Sequence, residues 1–197
     1  FREGDFEYVS TIHEGYNHFG RWIRSCNWFF HREVYENYHR IGSNLYADYW
    51  APGCDEQSIY TGDISVELVK ENEHTYILTV TAAENVTGLA DVFIDFKAER
   101  NSGTPLMHEY VVGLHSLTLE ETDFSFCGWA LRPESAEFIP VEIVDGKGSI
   151  RISSYPNKDT TMTVNSAECD RIFLRDFDYY AEFIEMQKQL DMNRKNK

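Results

Sequence analysis

The histidines closest to a recognisable metal-binding pattern are His13 and His18, which flank a glutamate in the stretch His-Glu-Gly-Tyr-Asn-His. Their i,i+5 spacing separates the two rings by about 140° around a helix, and Gly15 weakens such a helix further. His31 and His39 are two turns apart on a predicted helix, and surface or half-buried histidines are the better interpretation of this pair. We therefore expect no metal site and no cofactor.

Motifs for covalent catalysis are missing from the sequence. It contains no Gly-x-Ser-x-Gly nucleophile motif, and no spacing singles out a catalytic pair among its 33 acidic residues. The stretch Gly146-Lys147-Gly148 lacks the frame of a phosphate-binding loop and instead indicates a hairpin turn. The sequence thus favours a binding protein over an enzyme.

The four cysteines are far apart, without a Cys-x-x-Cys pair that would indicate zinc or redox chemistry: Cys26, Cys54, Cys127 and Cys169. An even count of this kind is typical of two disulfides in a secreted protein, and the alternative is four buried thiols in a cytosolic one. Three pairings are possible. We expect Cys26–Cys54 and Cys127–Cys169, because each bond would tie a long loop to a neighbouring strand.

A glycosylation sequon and the start of the chain both indicate a secreted protein or another oxidising compartment. Asn85-Val86-Thr87 is an acceptor sequence in a polar stretch between two strand patterns, where a glycan on Asn85 could project. The chain begins at Phe1 rather than Met, which is typical of a mature or trimmed product. We therefore expect a secreted or extracellular glycoprotein, or one in another oxidising compartment.

The charge of the chain excludes several classes of partner. Its 197 residues carry 18 Lys and Arg against 33 Asp and Glu, a formal net charge of -15. Such an acidic surface repels phosphate backbones and anionic lipids, so we expect no nucleic-acid partner. No apolar run approaches the roughly 18 residues of a membrane-spanning helix, so we expect no membrane span.

The elements that carry these residues fall into three segments of a single domain, 1–197. Residues 1–54 are rich in aromatic side chains, and Phe30, Val34, Tyr38 and Ile41 recur at helical spacing. Gly42 is expected to end this helix. Aspartates near 176–178 can cap a C-terminal helix over 177–192, which is followed by a basic tail over 193–197 that we expect to fray.

The central segment, 55–176, has the two-residue period of β-strands. Ile64 to Leu68 and Tyr76 to Val80 predict a hairpin, and Asp145-Gly146 predicts a tight turn. The remaining predicted strands are Val92–Phe96, Tyr110–Leu114, Phe124–Leu131, Phe138–Val144, Ile150–Ile152, Met162–Val164 and Ile172–Leu174. The fold class is therefore mainly β, an antiparallel barrel or sandwich, and a parallel α/β sheet is excluded.

Two separated segments resemble the lipocalin family. Gly20-Arg21-Trp22 is similar to the Gly-x-Trp signature that opens the first lipocalin strand, and Arg175 precedes the predicted C-terminal helix as the lipocalin arginine does. Ser153–Asn157 is a degenerate candidate for the family's middle motif, without its Asp. The resemblance implies an up-and-down β-barrel whose floor is closed by a stack of Trp22 on Arg175, a cation–π pair worth about 0.5–2 kcal/mol.

The two architectures imply different functions. A lipocalin-like barrel implies a small apolar ligand, lipid- or pigment-like, in a cup for which alternation nominates Phe93 (or its neighbours Val92 and Ile94), Tyr110 and Trp129. The alternative, an antiparallel β-sandwich, implies an interaction module that recognises a protein or a glycan through exposed Tyr and Trp side chains.

Overall fold

Alternating apolar residues build most of the chain into antiparallel strands. The computed structural model describes residues 6–13, 20–44, 46–100, 112–118, 135–154, 160–175 and 177. The helices are α1 (Gly20–Cys26) and α2 (Trp28–Asn37), with a 3-10 turn at Glu56–Ser58. The strands are β1 (Val9–Ile12), β2 (Tyr38–Ser43), β3 (Ala47–Pro52), β4 (Ile59–Tyr60), β5 (Ser65–Asn72), β6 (Thr75–Thr81), β7 (Gly88–Arg100), β8 (Val112–Ser116), β9 (Ser135–Ile143), β10 (Lys147–Ser154) and β11 (Thr160–Leu174). Neither α-helix is long and apolar enough to cross a membrane.

Two four-stranded sheets share the main apolar core. One sheet has the strand order β5-β6-β10-β8, the other has the order β4-β11-β7-β9, and every pairing within them is antiparallel. Buried residues at alternate positions of both sheets meet in this core, such as Leu78 and Ile152 on the first and Val92 and Ile94 on the second. The prediction of a mainly β, antiparallel fold is confirmed.

The other face of the sheet β4-β11-β7-β9 is also covered. Leu89 and Phe173, which pair across β7 and β11, are buried there in a second core with Trp28 and Tyr35 of α2 and Trp50 of β3. This core is closed by a third sheet of order β1-β3-β2, which we call the small sheet. The sheet β4-β11-β7-β9, which we call the middle sheet, is therefore covered on both faces near Leu89 and Phe173, because the N-terminal segment packs on this part of its outer side.

A two-residue turn joins β9 to β10 and thereby links the two large sheets. Asp145 and Gly146 both have positive φ, 48° and 79°, and Val144 and Lys147 exchange backbone hydrogen bonds of 3.0 and 3.1 Å across them. These are the features of a type I′ hairpin turn, as predicted. Gly146 also donates its N–H to the carbonyl of Val86 at 2.7 Å, which fixes the turn to the connection between β6 and β7.

The predicted β5–β6 hairpin is confirmed, whereas the end of the β region differs from the prediction. The two short runs expected near 162–164 and 172–174 belong to the single strand β11. The pairing of β11 with β7 shifts register between Val164 and Ser166 and again between Cys169 and Ile172. Each irregularity interrupts the two-residue alternation, and the sequence pattern therefore divides one strand into two.

The N-terminal segment contains more strands than the sequence predicts. Residues Gly20–Cys26, expected to open the first strand, form helix α1, and the first strand is β1. The predicted helix ends at Asn37 rather than at Gly42, because Tyr38 pairs with Pro52 and continues as strand β2. Tertiary pairing with β3 thus overrides a helical spacing that extends to Ile41, which is half exposed.

Several predicted features lie outside the described residues and stay predictions. They are Glu14–His18, Tyr110, the strand Phe124–Leu131 with Cys127 and Trp129, Tyr155–Asn157, and the C-terminal helix 177–192 with its tail, apart from Phe177.

Replacement of Gly146 by Ala tests the turn. A side chain at φ 79° adopts a disfavoured conformation, and its Cβ would lie 2.5 Å from the carbonyl oxygen of Ala83. We expect a loss of about 1–3 kcal/mol in the free energy of unfolding, measured by urea denaturation. Gly42→Ala is the matched control, because nothing lies within 4 Å of its Cβ position. An equal effect of the two substitutions would contradict this account of the turn.

Candidate functional site

A buried carboxylate fixes helix α2 to the middle sheet. Asp91 of β7 accepts the indole N–H of Trp28 at 2.9 Å and the Nε–H of Arg32 at 2.5 Å. Burial raises the pKa of Asp91, and the two donors oppose that shift. The guanidinium of Arg32 also lies 3.8 Å above the ring of Phe138 on β9. These contacts set the position and rotation of α2.

Once α2 is fixed, its next turn presents an aromatic surface to the end of β11. The ring of Tyr35 lies 5.5 Å from the ring of Trp50 and 5.4 Å from that of Phe173. Because side chains alternate along a strand, Arg175 points to the same side as Phe173. Its guanidinium lies 4.0 Å from the centre of the Tyr35 ring and 4.7 Å from that of Trp50. Arg175 therefore makes cation–π contacts with two rings.

The guanidinium of Arg175 has no anionic partner among the described residues. None of the ion pairs between described side chains includes it. Its Nε–H is buried and lacks a hydrogen-bond acceptor. Charged groups removed from water are normally paired. A half-buried arginine of this kind can therefore bind an external anion, even in a chain of net charge -15.

Arg175 lines an open groove of about 650 Å³. Three elements form it: the end of β11, the β9–β10 turn, and the connection between β6 and β7. Its lining residues are Asn85, Thr87, Val144, Asp145, Leu174, Arg175 and Phe177. The groove combines an apolar wall with a small number of polar groups, which is the usual composition of a small-molecule site.

A second buried polar cluster lies beside a much smaller cavity. Arg24 of α1 donates to Glu142 of β9 at 3.0 Å, and the hydroxyl of Ser116 on β8 donates to the same carboxylate at 2.7 Å. The cavity beside them is about 20 Å³, which is room for a single water molecule. The cluster therefore has the features of a structural link between α1 and the two large sheets.

The small sheet exposes apolar side chains to solvent. Tyr49 is flanked across the strands by Ser10 and Gly42, and the residue is 39% exposed. Alternation along β1 places Tyr8 and Ile12 on the same side as Ser10. These exposed residues and Tyr49 form what we call the outer tyrosine face: Tyr8, Ile12 and Tyr49. Contiguous exposed apolar side chains of this kind mark interaction surfaces more often than isolated ones do.

The structure separates the side chains that the sequence nominated for a ligand cup. Val92 and Ile94 are buried in the main core, whereas Phe93 points to the opposite face of β7 and packs on Phe138 at 5.3 Å. Tyr110 and Trp129 lie outside the described residues.

The predicted barrel closure is described only in part. Gly20 and Trp22 lie in α1, and nothing is described of their side chains. Among the described side chains, the rings in contact with Arg175 are those of Tyr35 and Trp50, and the stack of Trp22 on Arg175 stays a prediction.

The predicted disulfides are absent from the described part of the chain. Cys54 is an exposed thiol at the surface, so the expected Cys26–Cys54 bond is not formed. Cys169 is also a thiol and donates to the carbonyl of Arg171 at 3.2 Å, so it forms no bond with Cys127. Burial raises the pKa of Cys169 to about 11, which makes this thiol a poor nucleophile.

The predicted glycosylation site has a geometry compatible with modification. Asn85 is exposed in the connection between β6 and β7, at the edge of the groove. Glycosylation and secretion stay predictions. In the described ranges no group of three or more His, Cys, Asp or Glu side chains is placed to hold a metal ion.

Three residues of the site were not identified from the sequence: Tyr35, Trp50 and Asp91. The signal for Asp91 was present, because it is a charged residue within the apolar run Leu-Ala-Asp-Val-Phe-Ile. Tyr35 and Trp50 were among 14 aromatic residues of the first 50, and only the fold distinguishes them from the others.

Comparison of the chain with protein-family models, with curated proteins and with solved structures finds no match. The resemblance to lipocalins therefore stays a prediction.

A double-mutant cycle tests the stacking of Arg175 on Trp50. The variants Arg175→Ala and Trp50→Leu should each destabilise the protein, with a coupling energy of about 0.5–2 kcal/mol from thermal or urea unfolding. Arg151→Ala combined with Trp50→Leu is the control and should be additive, since Arg151 lies on β10 in the other large sheet. Additivity of the first pair would contradict the stack. The same cycle with Trp22→Leu tests the predicted barrel-floor pair.

Proposed function

We propose that this protein binds a small, largely apolar molecule in the groove beside Arg175. The observation that carries the proposal is the groove itself, with a volume of about 650 Å³ and a wall formed by Val144, Leu174 and Phe177. Small-molecule sites in proteins are typically about 300–1,000 Å³ and mostly apolar.

The location of this groove differs from the interior cup that a lipocalin barrel implies. The space between the two large sheets is filled by the side chains of the main core, among them Leu78, Ile94 and Ile152, which are fully buried. The groove lies instead at one end of the sheets, where three chain segments leave them. A ligand at this end leaves the core packing unchanged.

We propose correspondingly that the two large sheets form a β-sandwich rather than an up-and-down barrel. The support is the strand order: within the described ranges, the backbone ladders end at β5 and β8 in one sheet and at β4 and β9 in the other. Residues of both sheets meet face to face in one core, as in a sandwich.

Binding of 1-octanol tests the function. We expect one octanol molecule to bind per chain, detected by isothermal titration calorimetry, because its chain would bury apolar surface against the groove wall. Val144→Glu should weaken the affinity about tenfold or more, since it places a charge in that wall. Val69→Glu is the matched control, because Val69 is an exposed valine on β5 outside the groove. Absence of binding, or equal weakening by both substitutions, would refute the proposed site.

A second function is favoured by the outer tyrosine face. We infer that this face binds a protein partner, because the branched aliphatic side chain of Ile12 lies on the same side of the small sheet as the tyrosines. Aromatic rings alone would suit sugar stacking, whereas mixed aromatic and aliphatic surfaces are typical of protein interfaces. The net charge of -15 favours a partner with basic residues around its contact surface.

Selection from a random-peptide phage library tests this second function. We expect enrichment of peptides that combine apolar residues with Lys or Arg, and a loss of binding of about tenfold or more in the variant Tyr8→Ser/Tyr49→Ser. Phe29→Ser is the matched control, because Phe29 is 74% exposed but lies on α2, away from this face. Enriched peptides that bind the tyrosine variant as well as the wild type would contradict the assignment.

A further inference from the structure

We propose that the ligand of the groove carries a single carboxylate, bound by Arg175, in addition to its apolar part. This inference rests on the proposed small-molecule function and assigns the chemical class of the ligand. It starts from a mismatch of charge: the chain has 33 acidic residues, yet no ion pair between described residues includes Arg175.

The contacts of Arg175 orient its guanidinium group for binding a planar anion. Its guanidinium contacts the rings of Tyr35 and Trp50 at 4.0 and 4.7 Å, and these contacts restrict the orientation of its plane. A guanidinium held in this way presents its remaining N–H groups in a fixed fork, which matches the two oxygens of a carboxylate. Part of the entropy cost of ordering a long side chain is thus removed before the ligand binds.

Two further hydrogen-bond donors line the same groove. Asn85 is exposed there, with a side-chain amide that can donate. The hydroxyl oxygen of Thr87 accepts the backbone N–H of Asp145 at 3.1 Å, so its own proton is available for another acceptor. Together with Arg175, these groups form a polar side opposite the apolar wall.

The charges of the groove indicate a monoanion. Among its lining residues, Arg175 is the cation and Asp145 is the carboxylate. A phosphate dianion would face one cation and one anion and would gain little, whereas a single carboxylate can bind to Arg175 and remain on the side away from Asp145. An amphipathic monocarboxylate, with an apolar tail on the wall, satisfies both sides of the groove.

Octanoate and 1-octanol are the probes, because they share an eight-carbon chain and differ in the charged head. By calorimetry at neutral pH, wild-type protein should bind octanoate about tenfold more tightly than octanol. Asn85→Asp adds a negative charge without changing side-chain size and should weaken octanoate binding about threefold or more. Asp145→Asn removes a negative charge and should strengthen octanoate binding by a similar factor. Asparagine is also favoured in the I′ turn. Because octanol is uncharged, each substitution should change the affinity for octanol by a smaller factor than the affinity for octanoate.

Asn72→Asp is the matched control for charge, because Asn72 is exposed at the end of β5 and does not line the groove. It should leave octanoate binding unchanged. Arg175→Gln should reduce octanoate affinity to that of octanol, and the two charge variants keep the test decisive if this variant fails to fold. Equal affinity for octanoate and octanol, with no effect of the charge variants, would overturn the carboxylate assignment and leave the proposed function standing. Binding of neither probe would overturn both.

Discussion

The carboxylate of Asp91 is the contact on which the arrangement of the N-terminal segment depends. It accepts hydrogen bonds from Trp28 and Arg32, the first and fifth residues of α2, while it is itself buried on β7. A buried carboxylate is costly unless it is well bonded, as the raised pKa of Asp91 indicates. Because both of its donors lie on one helix, the requirement to satisfy this charge selects a single docked position for α2. The ring of Tyr35 on the same helix is thereby held against β11.

The ring contacts of Arg175 depend on the docked position of α2. Its neighbour on the same side of the strand, Phe173, is buried against Trp28 and Tyr35, while Leu174 between them packs against the main core. Strand alternation therefore places an arginine at the border between the second core and solvent. The cation gains ring contacts from the N-terminal segment and keeps part of its hydrogen-bonding capacity for the groove.

The sequence predicted those features that depend on local spacing. The two-residue period identified the β5–β6 hairpin, and the Asp145-Gly146 pair identified the turn, since both signals are contained within a few residues. The helical period in residues 30–41 continued past Asn37, where pairing of β2 with β3 takes over. Helix propensity can be judged from the local sequence, whereas the presence of a partner strand depends on the whole fold.

The candidate site was predicted only in part for the same reason. Sequence position singled out Arg175, but its expected stacking partner was Trp22, whereas Tyr35 and Trp50 are the rings in contact among described side chains. Asn85 was identified as a modification site and not as part of a groove. Which aromatic ring or amide meets a given arginine depends on how helices and sheets pack, and no spacing in the chain encodes it.

The burial of the middle sheet on both faces has a consequence for local unfolding. Strand β7 contributes to both cores and pairs with β9 and β11, so its amide hydrogens exchange with solvent only when these ladders open. The small sheet and α2 cover one core alone, and a partial opening in which they detach would leave the two large sheets paired. Such an opening withdraws Tyr35 and Trp50 from Arg175. The end of the groove that holds the cation would therefore be coupled to this opening, and a ligand bound to Arg175 would slow hydrogen exchange in an N-terminal segment that it does not touch.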